Sequence, residues 1–244
     1  MGQTTSSRAP GQNAVRTPSD VVREFYKAMR EKRFREAFML TTYKPAVEKL
    51  TDAEMEDLRP GFEEKATRIP ETVDILSEQI NGATATVFVR IPVTENTPQV
   101  TSEPINLINS GGAWTIAFGT AEDQAAVRQA GRRYFLDALI SGNEDGAEQF
   151  LKNTLFVLES IYSQQHGGSY GELSALISAG MLSADSVDPK LSGYNFRITL
   201  GKDGRSYVAG AEPLYHGRTG KLSFWMDQTG LIKSADAGGK PLKP

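Results

Sequence analysis

The chain has 244 residues, 39% hydrophobic and 23% charged, a composition that excludes wholesale disorder and fibrous repeats. At this length two domains of roughly 100 to 120 residues are the default expectation. Its 27 basic and 30 acidic residues are well mixed and leave a formal charge of -3, which gives no basic footprint for nucleic acid. Cysteine is absent, which removes disulfides, thiolate zinc sites and cysteine nucleophiles, and no apolar run approaches the ~18 residues that a membrane span needs.

Residues 1–16 read as a disordered polar tail without the apolar segment of a signal peptide. Thr17-Pro18-Ser19-Asp20 supplies an N-cap with proline at the first helical position, and Val21, Val22, Phe25 and Met29 follow at helical spacing, predicting a helix over 18–31. Phe34, Ala37, Phe38 and Leu40 predict a second, ending near Pro45. Thr51 and Glu54 form a capping-box pattern that opens a third through Leu58 toward Ala66, with Pro60-Gly61 weakening its middle. From Glu71 the period changes to two. Val73 and Ile75, then Ala85, Val87, Val89 and Ile91, flank Asn81-Gly82, which predicts a hairpin with Asn-Gly at the centre of a type I′ turn. Further strands are predicted from Val100 to Ile108 and, after Ser110-Gly111-Gly112, from Trp114 to Phe118. Helices followed by a curved antiparallel meander make an α+β domain over 17–119.

Within it, Pro18-Ser19-Asp20-Val21-Val22-Arg23-Glu24-Phe25-Tyr26, Phe34-Arg35-Glu36-Ala37-Phe38 and Gly112-Ala113-Trp114-Thr115-Ile116 resemble the nuclear transport factor 2-like superfamily. The resemblance implies a cone of helices and sheet that serves as an enzyme pocket, a ligand site or a plain interaction domain. A pocket would need a carboxylate or tyrosine of shifted pKa, and Tyr26, Tyr43, Asp74 and Glu78 are the candidates. Against this, Asp74 alternates with Val73 and Ile75 and should face solvent, while the tyrosine rings should pack. The cations Arg23, Arg30, Lys32, Arg33 and Arg35 are interleaved with Glu24, Glu31 and Glu36 and read as a salt-bridged face.

Ala121 to Ile140 reads as a helix bridging the domains over 120–144, stopped by Ser141-Gly142-Asn143. A second long helix is predicted from about Asp145 to Gln165, ended by Gly167-Gly168, then a short helix from Glu172 to Ala179. Three strands follow, near Tyr194–Leu200, 206–212 and 222–226, with turns at Lys202-Asp203-Gly204 and Gln228-Thr229-Gly230. They complete a second α+β domain over 145–240, with a tail at 241–244.

This order of elements and the closing string Thr219-Gly220-Lys221-Leu222-Ser223-Phe224-Trp225-Met226-Asp227-Gln228-Thr229-Gly230-Leu231-Ile232-Lys233 resemble the heads of type IV pilins and pseudopilins. No processed glycine-phenylalanine start or apolar membrane helix precedes this head. The resemblance implies a bacterial protein of the periplasm or cell surface, with anchoring upstream left open and no filament role through a membrane helix.

His166 and His216 have no acidic or histidine neighbour at the spacing of a zinc motif; His166 reads as a helix cap and His216 as a loop residue. Some pseudopilin heads hold calcium near the chain end, and Asp227 and Asp236 are the carboxylates available for it, though a turn already explains Asp227. No cofactor is expected. The sequence therefore points to a non-enzymatic binding or assembly module with protein partners, possessing in one version an exposed apolar docking surface at Leu222, Phe224 and Trp225. The alternative is a small-molecule carrier or enzyme using the first-domain cone.

Overall fold

The computed structural model describes residues 16–69, 71–91 and 101–243. The predicted tail at 1–16 lies outside them except for Arg16, as do Val100 and residue 244. The fold is α+β, with two four-stranded antiparallel sheets of strand order β1-β2-β3-β4 and β5-β6-β7-β8. The chain divides into two units, Met1–Glu48 with Glu63–Gln129, and Lys49–Phe62 with Ala130–Pro244.

In unit 1, helix α1 spans Pro18–Arg30. The Thr17 hydroxyl accepts the Asp20 N–H at 3.2 Å, and the Asp20 carboxylate accepts the Thr17 N–H at 3.1 Å, so two of the end amides that a helix leaves unbonded are satisfied. A third is satisfied from the sheet, where Glu78 accepts the Ser19 N–H at 2.8 Å. The helix stops at Lys32, whose φ of 56° is left-handed, and α2 (Phe34–Met39) begins beyond it. A side chain bearing Cβ is strained there, so Lys32→Gly is expected to stabilise the chain by about 1 kcal/mol in denaturant titration. The lost surface pair with Glu63 at 3.2 Å would cost little, and an unchanged or lower midpoint would contradict this account. Helix α3 (Lys44–Val47) follows, with Pro45 in its first turn rather than at an end.

The first sheet comprises β1 (Asp74–Asn81), β2 (Thr84–Ile91), β3 (Thr101–Ser110) and β4 (Ala113–Ile116). Asn81 pairs with Thr84, so the first turn is centred on Gly82-Ala83, one residue later than predicted. Only Gly82 of the two has positive φ, which makes the turn type II′ instead of I′. The β3–β4 turn has both Gly111 and Gly112 at positive φ and is the I′ turn. Ala85, Val87, Val89, Leu107 and Ile116 form the buried sheet face, against which α1 sets Val21, Val22, Phe25 and Met29.

Unit 2 takes part of the chain that sequence reading gave to the first domain. Helix α4 spans Asp52–Ala66 with Pro60 inside it, and its capping box forms as predicted, Thr51 Oγ1 accepting the Glu54 N–H at 3.2 Å. Its residues up to Phe62 belong to unit 2 because Arg132 bonds Glu54 at 2.6 Å, Arg218 pairs both guanidinium edges with Asp57 at 2.7 and 2.8 Å, and Phe62 meets Phe135 edge to face.

The bridging helix is also corrected. It breaks at Gly131, where φ is 52°, into α5 (Ala121–Ala130) and α6 (Arg133–Gln149). Ser141-Gly142-Asn143 does not stop α6. Asn143 instead donates its amide to the Thr219 carbonyl at 2.9 Å. The helical rod continues through a π-helical segment, Phe150–Leu155, into α7 (Phe156–Gln165). After α8 (Leu173–Ser178), a 3₁₀ turn and α9 (Pro189–Ser192), the second sheet runs β5 (Tyr194–Leu200), β6 (Tyr207–Pro213), β7 (Ser223–Asp227) and β8 (Ile232–Ala235), the last a strand beyond the three predicted. Leu151, Leu155, Leu176, Tyr194, Phe224 and Met226 are at the centre of its core.

Candidate functional site

The predicted pocket residues of unit 1 separate. Asp74 lies opposite Arg90 on the face away from the buried valines and forms an exposed pair with it at 3.9 Å, so it leaves the pocket set. Tyr26 is buried, its ring meets Phe25 edge to face at 5.4 Å, and burial with Glu103 nearby raises its pKa. Tyr43 stacks on Phe118 at 6.1 Å, and Phe118 touches Phe25 at 5.4 Å. The two tyrosines thus belong to one aromatic chain that fills space. Glu78 is used as the helix cap. Arg33 is bonded to Glu24, Glu31 and Glu36, the salt-bridged arrangement expected of that face.

In unit 2, Phe224 is 1% and Trp225 5% exposed, with Leu222 half-buried against the core. An exposed docking surface at these three residues is therefore corrected. The reason is the meander: β7 lies between β6 and β8, and Phe224 points into the core while Lys233 covers the Trp225 ring at 4.8 Å. The calcium candidates serve separate turns. Asp227 accepts the Thr229 N–H at 2.9 Å; Asp236 accepts the Gly238 N–H at 3.0 Å and bonds His216 Nε2 at 2.8 Å. Among the described residues no group of three or more His, Asp or Glu could hold a metal ion. His166 ends α7, its ring stacked on Tyr162 at 3.8 Å and its Nδ1 2.8 Å from the Tyr162 carbonyl. No helix among the described residues is long and apolar enough to cross a membrane.

What the structure assembles instead is a cleft of about 280 Å³ on unit 2. One wall is α6 and the start of the π-helical segment, with Gly142, Gly146, Ala147 and Phe150; the other is α9 and β5, with Leu191 and Phe196. Phe150 and Phe196 meet at 4.5 Å as its aromatic floor, and Leu191 stands at the rim 60% exposed. Asn143, Ser186 and Ser192 add polar atoms. Neither Gly142 nor Gly146 has positive φ, and an added Cβ would meet nothing within 4 Å at either. Glycine is therefore not required there by the fold, yet it weakens the helix and keeps that wall low. Gly142→Ala and Gly146→Ala should each raise stability by about 1 kcal/mol in thermal or denaturant unfolding. A loss of stability would show that the glycines are structural after all.

No family model, curated protein or solved structure matches the chain.

A second feature lies on the buried side of the helical rod. Leu151, Leu155 and Glu159 are four apart and all fully buried. In a regular α-helix such positions drift by about 40° per step, and the wider π turn at Phe150–Leu155 offsets that drift. Glu159 accepts the Gly171 N–H at 3.0 Å through Oε2, while Oε1 and the buried Tyr207 hydroxyl have no partner among the described residues. Burial pushes the Glu159 carboxyl up to about 7, the Gly171 bond opposing it only in part. Sequence reading passed over Glu159 because it sits in an apolar run; its spacing of four from Leu155 and eight from Leu151 was the available signal.

Proposed function

We propose that the chain is a non-enzymatic binding or assembly module of the bacterial periplasm or cell surface, whose unit 2 cleft takes an aromatic or large aliphatic side chain from a protein partner. The pair Gly142 and Gly146 carries this reading. Two helix-weakening residues line one cleft, and nothing in the backbone or the packing demands them. The volume of about 280 Å³ falls just under the range of small-molecule sites and suits one inserted side chain. The export and assembly part of the proposal rests on the resemblance of unit 2 to a pilin head, supported by its long helix, short helix and antiparallel meander. Unit 1 is correspondingly proposed as a nuclear transport factor 2-like cone. The carrier or enzyme alternative loses Asp74 to the outer face, and of the four residues that would fill a cone Phe25, Phe38 and Leu107 are buried while Trp114 is half-buried.

The test is a photo-crosslinking amino acid placed at position 191 in expressing cells, with adducts identified by mass spectrometry. The expected result is a discrete protein adduct that disappears when Gly146→Phe fills the cleft. Absence of any adduct, or one indifferent to Gly146→Phe, would overturn the proposal.

A further inference from the structure

The segment from Gly167 to Gly171, beyond the helix end at His166, covers Glu159 and is lightly held. Gly167 and Gly168 both have positive φ, and the segment's backbone ties are Gly168 N–H to Ser163 O at 2.8 Å, Ser169 N–H to His166 O at 3.3 Å and Tyr170 N–H to Gly204 O at 2.8 Å. The fourth tie is the bond from Gly171 N–H to Glu159 itself at 3.0 Å. Gly171 lies so close against Tyr162 that an added Cβ would be 3.0 Å from the ring, which fixes where the segment seats when closed.

We propose that Glu159 is a proton-operated latch on this segment: the neutral carboxyl lets it close over the unit 2 core, and the ionised carboxylate opens it. The titratable groups around Glu159 give the charge no compensation. Tyr207 faces it from β6 with a buried hydroxyl, unpartnered among the described residues, whose pKa is raised first by burial and then by Glu159; Tyr170 crosses Tyr207 at 4.9 Å from the covering segment, and Tyr170 and Asp227 of β7 raise the Tyr207 pKa further. On its own helix Tyr162 and His166 stack on each other, with His166 exposed, and an Arg205 guanidinium nitrogen lies 3.7 Å from where a Cβ on Gly168 would be. A buried carboxylate with a single N–H donor is costly, and water is reached with least disruption by lifting a loop held by three backbone bonds and the Glu159 bond instead of unwinding the helical rod.

Amide exchange followed by NMR tests the latch on the whole chain. The protection factor of the Gly171 amide, corrected for intrinsic exchange, is expected to fall about tenfold between pH 6 and pH 8, while the β6 amides keep theirs. Glu159→Gln should remove that pH dependence at Gly171. Equal dependence in both proteins would overturn the proposal. Should the variant not fold, carbon-13 titration of the wild-type Glu159 carboxyl decides: a midpoint near 7 shared with the Gly171 amide shift supports the latch, and a midpoint between 4 and 5, or one the amide does not follow, overturns it.

Discussion

Gly220→Ala is expected to destabilise unit 2 by about 3 kcal/mol or more, enough to leave much of it unfolded at ordinary temperatures. The added Cβ would meet the Tyr194 hydroxyl and lie 2.7 Å from ring carbon Cζ. Tyr194 cannot yield, because it is fully buried in the core, leans on Phe224 at 5.9 Å and donates its hydroxyl to the Leu222 carbonyl at 2.8 Å. Circular dichroism in urea measures the loss. Combining the change with Tyr194→Phe removes the worst contact and should recover part of the stability. Full stability of Gly220→Ala alone would mean that the β6–β7 connection can shift freely, contrary to this account.

The second large effect is a stability that depends on pH through Glu159. Its carboxyl is raised from the ordinary 4.5 to about 7 in the folded chain, so the folded state holds a proton that the unfolded state gives up. The stabilisation is complete below pH 4.5 and is lost as pH rises to about 7, after which it is flat. A shift of this size corresponds to about 3 kcal/mol between those limits, to order of magnitude. Glu159→Gln should be the more stable protein at pH 8, with the advantage shrinking toward pH 5. Urea midpoints of both proteins at pH 5, 6, 7 and 8 measure it, and parallel curves would remove Glu159 as the cause. Asp20, whose carboxyl is lowered by its bonds to Thr17, acts in the opposite direction at acid pH, but it is exposed and its share is small.

Local signals served well where an interaction spans three or four residues. The N-cap at Thr17, the box at Thr51–Glu54, the apolar stripe of α1 and the alternation of β2 need only nearby residues, and each appears in the structure where its residues predict it. The displaced turn at Gly82-Ala83 shows the limit of that reasoning. Asn-Gly is the stronger dipeptide for a I′ turn, but the register that buries Ala85 and Val87 pairs Asn81 with Thr84 and moves the centre by one residue.

Other features were beyond any local reading. Gly142 is a poor helix residue, and sequence alone ended a helix there. Bonds of the Asn143 kind, reaching 76 residues along the chain to Thr219, sustain α6 through it. The assignment of Lys49–Phe62 to unit 2 depends likewise on Arg132 and Arg218, far along the chain. Trp225 and Phe224 look like a sticky surface in a string and are buried because β8, too short to stand out by alternation, closes the sheet beside them.

The sequence by itself determined the α+β class, the caps, most of the strands and the lack of a cysteine-based site, because these rest on composition and on neighbours along the chain. Only the tertiary structure decided that Asp74 faces outward, that Gly220 is held against Tyr194, that two glycines open a cleft and that Glu159 is buried without a counter-charge, because burial and proximity are set by residues brought together from distant parts of the chain.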